Sequence, residues 1–417
     1  MNHITHNWAE HIAFAAGHTH YPRTVEAVQE AVALAPKLRP IGSRHSFNAI
    51  ADTPGALISL RAFERRAEID EAARTVTVDG GITYAELCPV LDSAGWALAN
   101  LPSVPDFTVV GAVSTATHGS GNSNRNLAAA VSAIEFVNAA GEVVRLRRGD
   151  PDFPGAVVSL GALGVVTALT VDIVPRFDIR QSVFHGLPFE RVVSEFDSLM
   201  GSAYSVSLFT HWNGDLVDQV WLKALADAPP PPADFFGATA APGESSPVMG
   251  RDPAGTTAQL GVPGPWYDRL THARIGAIPQ VGYEYQSEYF VPRQHAGAAL
   301  RALKAIAAQF HPALVVAEVR TIAADDLWLS TNSGEDSVGF HFSWARDWPA
   351  VRNALVPLEA ALMPFGPRPH WGKLFLMPAD AFLPRYPHLP TFRTLATRHD
   401  PHGKFRNAFI EANVFGG

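Results

Sequence analysis

Hydrophobic and polar positions in the first part of the chain follow two different periods. The segments TVEAVQEAVALA, residues 24–35, and TYAELCPVLDSAG, residues 83–95, place apolar residues at helical spacing. The runs ALISL and TVTVDGG are typical of short strands, and SAIEFVNAAGEVVRL predicts a hairpin around Ala140 and Gly141. Residues 1–176 are therefore predicted to form an α+β domain with glycine-rich turns.

The pattern changes in residues 177–369. There YSVSLFTHW and QVWLKAL predict strands, and QHAGAALRALKAIAAQF predicts a helix. Four consecutive prolines, residues 229–232, cannot continue a helix or a central strand. We interpret segment 229–254 as a long ordered loop, with a disordered linker as the alternative. The last segment, residues 370–417, is too short to bury a core alone and should pack on another part of the chain.

Composition narrows the classes of protein to consider. The chain has 417 residues, of which 47% are hydrophobic and 17% charged, which suits a globular protein of about two domains. With a net charge of −8 and no dense Lys/Arg run, nucleic acid and membranes are not expected partners. The N-terminus MNHITHNWAEHI has no signal-peptide pattern. We expect a cytoplasmic monomer.

Cysteine and histidine content argue against a metal site. The single cysteine, Cys88, excludes an intrachain disulfide and a cysteine-based metal cage. His18 and His20 share one strand face, but no third ligand stands near them in the sequence. We therefore expect no bound metal.

Three stretches rich in Gly, Ser and Thr stand out in the first region. They are IGSRHSF, residues 41–47; VVGAVSTATHGSGNSNRNLAA, residues 109–129; and VSLGALGVVTALTVDIVP, residues 158–175. Such loops expose successive backbone N–H groups beside hydroxyls and can hold a pyrophosphate without cationic side chains. The dinucleotide signature G-x-G-x-x-G is missing, which argues against a Rossmann fold.

The order GSRHSF, GAVSTATHGSG, SLGALGVVT resembles the vanillyl alcohol oxidase family of flavoproteins, in particular its branch of alditol and xylitol oxidases. The segments NLPSVPDFTVVG, EVRTIAADDLWLS, RPHWGKLF and DPHGKFRNAF extend the resemblance over nearly the whole chain. It implies an α+β fold with an FAD-binding domain of two α+β subdomains at 1–176. A substrate domain with a β-sheet and flanking helices would occupy 177–369, and segment 370–417 would pack back on the FAD-binding domain.

The resemblance implies FAD joined covalently to His45. The residue before this histidine is commonly glycine in the family, and here it is Arg44. If that position needs a positive φ, a bulky side chain costs about 1 kcal/mol or more; Arg44 could also pair with an FAD phosphate. The other expected cofactor contacts are Gly42, Ser43, Ser46, Ser103, Thr108, Gly111, Ala112, Val113, Ser114, Thr115, His118 and Val166.

Charged residues in the second region are the candidates for catalysis. Glu318 and Arg320 lie two apart in the apolar run LVVAEVRTI, so they share one face of a predicted strand. A solvated face is the alternative, but unpaired charges in such a run would be costly. His341 and Ser343 have the same spacing in HFSW. Lys373 follows a glycine at the start of another predicted strand, and the resemblance places it beside the flavin.

Two further residues in NLPSVPDF bear on substrate and oxygen. Ser103 matches a serine that lines the substrate pocket in alditol oxidases. A glycine or proline near Pro102 is associated in the family with oxygen access to reduced flavin, which favours an oxidase. The alternative is a rigid turn, because the stretch contains two prolines regardless of chemistry.

Together with these residues, the resemblance implies the oxidation of a linear polyol such as xylitol or sorbitol to an aldose, with O₂ reduced to H₂O₂. Arg320 and Lys373 would stabilise the incipient alkoxide, and Glu318 and Arg320 would bind the neighbouring hydroxyl. Ser103, His341 and Ser343 would bind more distant hydroxyls. His341, with an ordinary pKa near neutrality, is also a candidate proton acceptor. An aldonolactone oxidase or dehydrogenase of the same fold, and a non-catalytic carbohydrate-binding flavin protein, are the alternatives.

Overall fold

The computed structural model describes residues 2–277 and 284–416. The first region contains the strands β1 (His18–His20), β2 (Leu38–Pro40), β3 (Ala56–Ile58), β4 (Ala67–Asp70), β5 (Thr75–Asp79), β6 (Trp96–Ala97), β7 (Val131–Val137), β8 (Val143–Arg147), β9 (Val165–Asp172) and β10 (Val174–Pro175). Its helices are α1 (Val25–Leu34), α2 (Tyr84–Ser93), α3 (Val109–Ser114) and α4 (Phe153–Val157). The predicted helices, strands and hairpin of this region are confirmed.

Two main sheets organise this region. β1, β3 and β2 form a parallel three-stranded sheet, and the order β4-β5-β9-β7-β8 forms an antiparallel five-stranded sheet. Helix α2 begins at a capping box, in which the Thr83 and Glu86 side chains each bind the other's backbone N–H. Helix α1 buries Val28 and Val32 against the core that contains Leu38 and Ile58. The two sheets thus carry the three glycine-rich loops on a packed scaffold.

The second region contains one large antiparallel sheet. Its strands are β11 (Asp178–Pro188), β12 (Ser205–Thr210), β13 (Leu216–Leu225), β14 (Thr239–Ala240), β15 (Pro263–Pro265), β16 (Tyr285–Pro292), β17 (Leu314–Ile322), β18 (Ser337–Trp344) and β19 (Arg368–Pro369). They follow the order β14-β11-β13-β12-β17-β18-β16-β19, and β15 also pairs with β11. Its helices are α5 (Phe189–Ser194), α6 (Phe196–Met200), α7 (Tyr267–Leu270), α8 (Ala296–Ala305), α9 (Ala307–Phe310) and α10 (Trp348–Leu362).

The proline-rich segment 229–254 is irregular over most of its length but packs on this sheet. Its Thr239–Ala240 pairs with β11, and the Phe235 ring stacks on Phe184 at 4.8 Å between centroids. Across the described ranges, no helix is both long and apolar enough to cross a membrane.

The C-terminal segment contains α11 (Ala379–Phe382), α12 (Leu389–His399) and α13 (Ala408–Ile410), and it ends in a π-helical turn, Glu411–Phe415. It lies against the first region: Arg39 Nη1 donates to the Phe405 carbonyl at 2.6 Å, and Asn407 Nδ2 donates to the Asp52 carbonyl at 2.7 Å. The α+β class predicted from the sequence is confirmed, whereas the domain boundaries 176/177 and 369/370 stay a prediction.

Candidate active site

A cavity of about 320 Å³ lies between the glycine-rich loops and one face of the large sheet. All three loops reach it. The predicted site residues that line it are Gly42, Ser43, Arg44, His45, Ser46, Ser103, Thr108, Gly111, Ala112, Ser114, Thr115, His118, Val166, Glu318, Arg320, His341, Ser343 and Lys373. Tertiary folding therefore brings together groups that stand far apart in the sequence.

Two predicted site residues do not line the cavity. Val113 is 2% exposed, and its side chain packs in the main hydrophobic core, whereas Ser114 lines the cavity. Pro102 is buried next to Ser103 without reaching the cavity wall. Neither residue lines the cavity, so the cofactor contact predicted for Val113 and the oxygen access predicted near Pro102 stay predictions.

At the loop end of the cavity, the backbones at Gly42 and Gly111 lie close together beside the Thr108 side chain. A Cβ added to Gly42 would lie 2.3 Å from Thr108 Oγ1, and one added to Gly111 would lie 2.6 Å from the same oxygen. Larger residues would push the loops apart. Within the described chain, Thr108 Oγ1 and His45 Nδ1 are buried without a hydrogen-bond partner. These unpaired polar atoms, together with the glycine cradle, fit a bound cofactor such as FAD.

His45 is held between aromatic rings. Its imidazole stacks on Trp8 with centroids 4.6 Å apart and meets Phe107 edge-on at 4.6 Å. Burial, with help from the neighbouring Arg44 charge, lowers the pKa of His45 to about 3. The ring is therefore neutral at physiological pH, which leaves one nitrogen lone pair free to attack an electrophilic carbon.

Arg44 adopts the left-handed conformation, with φ at 68°. The backbone thus takes the geometry that favours glycine even though an arginine occupies the position. Its Nη1 donates to the His6 carbonyl at 3.2 Å, and its own carbonyl accepts from Trp8 N at 2.8 Å. These contacts with the N-terminal segment hold the strained loop in place.

Strand register builds the opposite wall. Glu288 on β16 pairs with His341 on β18, which in turn pairs with Glu318 on β17, so these three side chains form one row on the same face. Arg320 pairs with Gly339, and the missing side chain there leaves room above Glu288. The wall is a row of polar groups on a sheet that is otherwise packed with apolar residues.

The charges on this wall compensate one another. Arg320 Nη2 donates to Glu288 Oε1 at 2.8 Å, and its Nη1 donates to Ser103 Oγ at 3.1 Å. Lys373 Nζ donates to Glu288 Oε2 at 2.6 Å. Arg320 Nε also lies 3.5 Å from Glu318 Oε2. The fully buried Glu288 carboxylate thus binds both Arg320 and Lys373, the two cations predicted to act in catalysis. Glu318 and Arg320 are themselves buried, so they do not lie on a solvated strand face.

The same contacts set the protonation states. Burial opposes ionisation of Glu318 and Glu288, but the neighbouring cations outweigh it and hold the pKa of both carboxyls below the usual range. Burial lowers the pKa of Lys373, although Glu288 opposes that shift. The wall therefore carries two carboxylates beside a guanidinium and an ammonium.

The surroundings of His341 weaken its role as a proton acceptor, which stays a prediction. Burial, followed by the Lys373 charge, lowers its pKa to about 3 instead of leaving it near neutrality. Its Nδ1 lies 4.0 Å from Glu318 Oε2, and its Nε2 is buried without a partner among the described residues. A neutral imidazole here can bind a hydroxyl, but it is a weak proton acceptor at physiological pH.

Lys373 does not start a strand, which corrects the sequence prediction. The nearby strand β19 ends at Pro369, and Lys373 lies in a bend. This bend is bonded to the end of the His45 loop and the residue after it: Phe47 N donates to the Gly372 carbonyl at 2.7 Å, and Asn48 Nδ2 donates to the carbonyls of Trp371 and Lys373 at 2.8 and 2.7 Å. Lys373 is thus attached to the loop that carries His45.

A set of three buried groups, His118, Glu288 and His370, has the composition of a metal site. Glu288 already binds the ammonium of Lys373 and the guanidinium of Arg320, so a divalent cation would meet two positive charges there. His118 Nε2 lies 3.2 Å from Glu288 Oε1, and His370 Nδ1 accepts from Gly372 N at 3.0 Å. The arrangement suits a hydrogen-bonded anchor for the carboxylate better than a metal centre.

Sequence reasoning missed Glu288, Gln286 and His272, which all line the cavity. Gln286 and Glu288 have the same two-residue spacing in QSEYFV that drew attention to Glu318 and Arg320. That spacing was a usable signal. His272 lies in an irregular turn after α7, and nothing local in THARIG indicates its role.

Comparisons with known proteins agree with this site. Residues 17–147 match the profile of an FAD binding domain, and residues 281–413 match that of D-arabinono-1,4-lactone oxidase. The chain is 46% identical to an alditol oxidase from a Streptomyces species, over 97% of both chains. It is 28% identical to the L-gulono-1,4-lactone dehydrogenase of Mycobacterium tuberculosis, over 98% of both chains.

The fold is shared more widely. The crystal structure of cholesterol oxidase from B. sterolicum superposes with a TM-score of 0.78 at 13% identity and covers 98% of this chain and 96% of the other. At that identity the likeness concerns the fold alone. With the FAD binding profile and the full-length match to alditol oxidase, the chain belongs to the vanillyl alcohol oxidase family of FAD-binding oxidoreductases, in the group that contains alditol oxidase.

Proposed function

We propose that the protein oxidises the terminal CH₂OH of a linear polyol such as xylitol or sorbitol. One polyol and one O₂ would give one aldose and one H₂O₂. The observation that carries the proposal is the buried wall of Glu318, Arg320, Glu288 and Lys373, which faces the loop that carries His45. The similarity to alditol oxidase supports the substrate class.

FAD bound along the loops would take a hydride from the substrate carbon and pass the electrons to oxygen. Arg320 and Lys373 would hold the oxygen of that carbon and stabilise negative charge as its proton leaves. Glu318 would accept a hydrogen bond from the neighbouring hydroxyl. Ser103, His341 and Ser343 would bind hydroxyls further along the substrate.

In this proposal residues 1–176 hold FAD, the sheet of 177–369 covers the substrate, and 370–417 brings Lys373 to the His45 loop. Pro102 would act through Ser103, where it keeps the chain rigid beside a path for O₂. If so, enzyme reduced by substrate should reoxidise rapidly in air without an added dye. Slow reoxidation by oxygen with fast turnover by a quinone would instead indicate a dehydrogenase.

We further propose that FAD is covalently attached to His45. His45 would supply the imidazole nitrogen for a bond to the flavin methyl carbon, and the net loss of two hydrogens would be balanced by reduction of one O₂ to H₂O₂. The neutral, buried ring supports this role. Denatured protein should remain yellow, and its mass should exceed that of the chain by one FAD. His45→Ala should lose the bond; a colourless wild-type precipitate would exclude it.

The substrate class is tested by a panel of polyols and aldonolactones with peroxide detection. Peroxide formation with xylitol or sorbitol supports the proposal. Turnover of lactones alone would favour the second candidate, a lactone oxidase or dehydrogenase, which the match of residues 281–413 brings into consideration. A flavin-loaded protein that oxidises neither class would indicate a carbohydrate-binding role.

A further inference from the structure

Lys223 is a fully buried cation that the proposed mechanism does not use. It lies on β13 with 1% of its surface exposed, in a strand that otherwise buries mainly apolar residues. Its Nζ donates to the carbonyls of Arg269, Leu270 and Thr271 at 2.8, 2.8 and 2.6 Å. These three bonds use all three N–H donors of the ammonium and bind the end of α7.

The turn that Lys223 holds reaches the active site through two groups. His272 N donates to the Ser103 carbonyl at 2.9 Å, and Ser103 Oγ in turn accepts from Arg320. The His272 side chain lines the cavity, and its Nε2 lies 2.9 Å from Glu318 Oε1. Both Ser103 and Glu318 belong to the proposed substrate site.

The ring of His272 has a single orientation because four groups surround it. Trp221 and Phe209 meet it edge-on at centroid distances of 5.6 and 5.5 Å. Glu318 lies at Nε2, and Lys223 Nζ lies 3.4 Å from Nδ1. A rotated ring would place carbon atoms against the carboxylate and lose that hydrogen bond.

The Lys223 charge and the Glu318 carboxylate together favour one tautomer of His272. An ammonium has no lone pair, so a proton on Nδ1 would point at a cation without an acceptor. With Nδ1 unprotonated, the ring proton is on Nε2, where it donates to the Glu318 carboxylate. Burial, followed by the Lys223 charge, lowers the pKa of His272, so the doubly protonated ring is disfavoured.

We propose that Lys223 is a positioning residue of the polyol site: it fixes the turn 269–273 and the Nε2–H tautomer of His272, which then orients the Glu318 carboxylate toward substrate. The proposal rests on the function proposed above. Burial, opposed in part by Glu318 and reinforced by Arg269 and Arg320, lowers the pKa of Lys223 to about 7. The experiments below are therefore best made at pH 6, where most of the ammonium is present.

The first experiment measures kinetics with xylitol. Lys223→Met should lower kcat/KM by about tenfold to a hundredfold, by analogy with the loss of an outer-shell partner of a metal ligand. In a His272→Leu background the same substitution should cost clearly less than it does in wild type, because only its effect on the turn 269–273 remains. His272→Gln keeps an N–H donor and should recover part of the activity lost in His272→Leu. The control Lys304→Met removes a half-buried lysine away from the cavity and should leave kinetics unchanged.

The second experiment needs no substrate. In protein labelled with ¹⁵N-histidine, the His272 signals, assigned by their loss in His272→Gln, should show an unprotonated Nδ1 and a protonated Nε2. Lys223→Met removes the cation that lies 3.4 Å from Nδ1, so Nδ1 should become protonated at a higher pH than in wild type. If that variant does not fold, Lys223→Gln keeps two N–H donors for the carbonyls without the charge and should show the same shift in titration.

The outcomes are separable. Additive losses in the Lys223 and His272 double variant, or an unchanged titration of His272 in a folded Lys223 variant, would overturn the positioning role. Wild-type protein that oxidises no polyol but shows the expected tautomer would overturn the proposed substrate instead, with the Lys223–His272 link intact.

Discussion

The two walls of the cavity are built in different ways. The loop wall, residues 41–47, 109–118 and 158–166, offers backbone groups, hydroxyls and glycines, and its close approaches depend on missing side chains. The sheet wall, which carries Glu288, Glu318, Arg320 and Lys373, offers buried charges in a compensated cluster. The loop wall is therefore suited to bind a large ligand through many weak contacts. The sheet wall is suited to stabilise charge that develops during a reaction.

This difference predicts different responses to mutation. On the sheet wall, removing one group leaves its partner as an uncompensated buried charge, so effects should be large and should fall on turnover. On the loop wall, single side chains contribute little, so effects should be small and should fall on stability or cofactor attachment. The following predictions test that contrast in order of decreasing effect.

Arg320→Ala should have the largest effect. It leaves Glu318 and Glu288 without a shared cation, and losing one partner of a desolvated pair costs roughly 3 to 5 kcal/mol. We expect kcat/KM with xylitol to fall by on the order of a hundredfold or more, with an intact flavin spectrum. Glu318→Gln, which keeps the shape, should be milder than Glu318→Ala.

The matched control is Arg301→Ala, which removes an exposed arginine paired with Glu190. It should leave both stability and kinetics nearly unaltered, because an exposed ion pair is screened by solvent. If kcat/KM of Arg320→Ala with xylitol were close to that of wild type, Arg320 would not be an active-site residue. Most of the support for polyol oxidation would then be lost.

Glu288→Gln should come next. Glu288 raises the pKa of Lys373 against the effect of burial, so its loss should let that pKa fall further. The ammonium is then lost at lower pH, and the alkaline limb of the kcat/KM profile should move to lower pH. At pH values below that limb, we expect kcat/KM of Glu288→Gln to be about tenfold lower than that of wild type. A pH series with xylitol measures both the position of the alkaline limb and the loss in kcat/KM.

The control is Glu135→Gln, which removes a paired carboxylate outside the cavity and should leave the pH profile of kcat/KM unchanged. An alkaline limb that does not shift in Glu288→Gln would contradict the effect of Glu288 on the pKa of Lys373.

His341 should contribute to acid sensitivity. Its pKa is about 3 in the folded protein against 6.5 for the ordinary group, so the unfolded chain binds a proton there that the folded chain does not. This contribution is complete above pH 6.5 and is lost as pH falls, by about 3 kcal/mol at pH 4. Urea unfolding should show that His341→Asn loses less stability than wild type between pH 6.5 and 4. Equal losses in both proteins would contradict a neutral, buried His341.

Arg44→Gly should have the smallest effect. Relieving a left-handed non-glycine residue gains about 1 kcal/mol, and the added freedom of the unfolded chain removes part of it. The free energy of unfolding should therefore rise by at most about 1 kcal/mol, without a loss of turnover. Arg74→Gly, at another position with φ above zero, is the control and should behave alike. A large loss of flavin in Arg44→Gly alone would indicate a direct contact of Arg44 with the cofactor.

The loop wall could be predicted from local sequence because its chemistry is local. The glycine, the serine hydroxyls and the histidine of IGSRHSF lie within seven consecutive residues, so a short motif contains all of these groups. Local sequence does not report side-chain direction: Val113 packs in the core although its neighbours Ala112 and Ser114 line the cavity.

The sheet wall could be predicted only in part. Because residues two apart lie on the same face of a strand, the sequence predicted that Glu318 and Arg320 share one face, and that His341 and Ser343 share one face. It could not show that Glu288 pairs with both cations, because those contacts depend on the register of β16, β17 and β18 and on a bend near residue 373. The pKa of His341 likewise depends on burial and on Lys373, which local sequence does not report.

The sequence by itself determined the α+β class, the helices and strands of the first region, the three glycine-rich loops and the resemblance that led to FAD. These follow from local periodicity and short motifs, whose physical basis lies within a few residues. Only the tertiary structure decided which carboxylate neutralises Arg320 and Lys373, how His272 links Lys223 to Glu318, and which histidines remain neutral. Electrostatic interactions and desolvation depend on distance in space and on exclusion of water, and both are established when remote segments pack together.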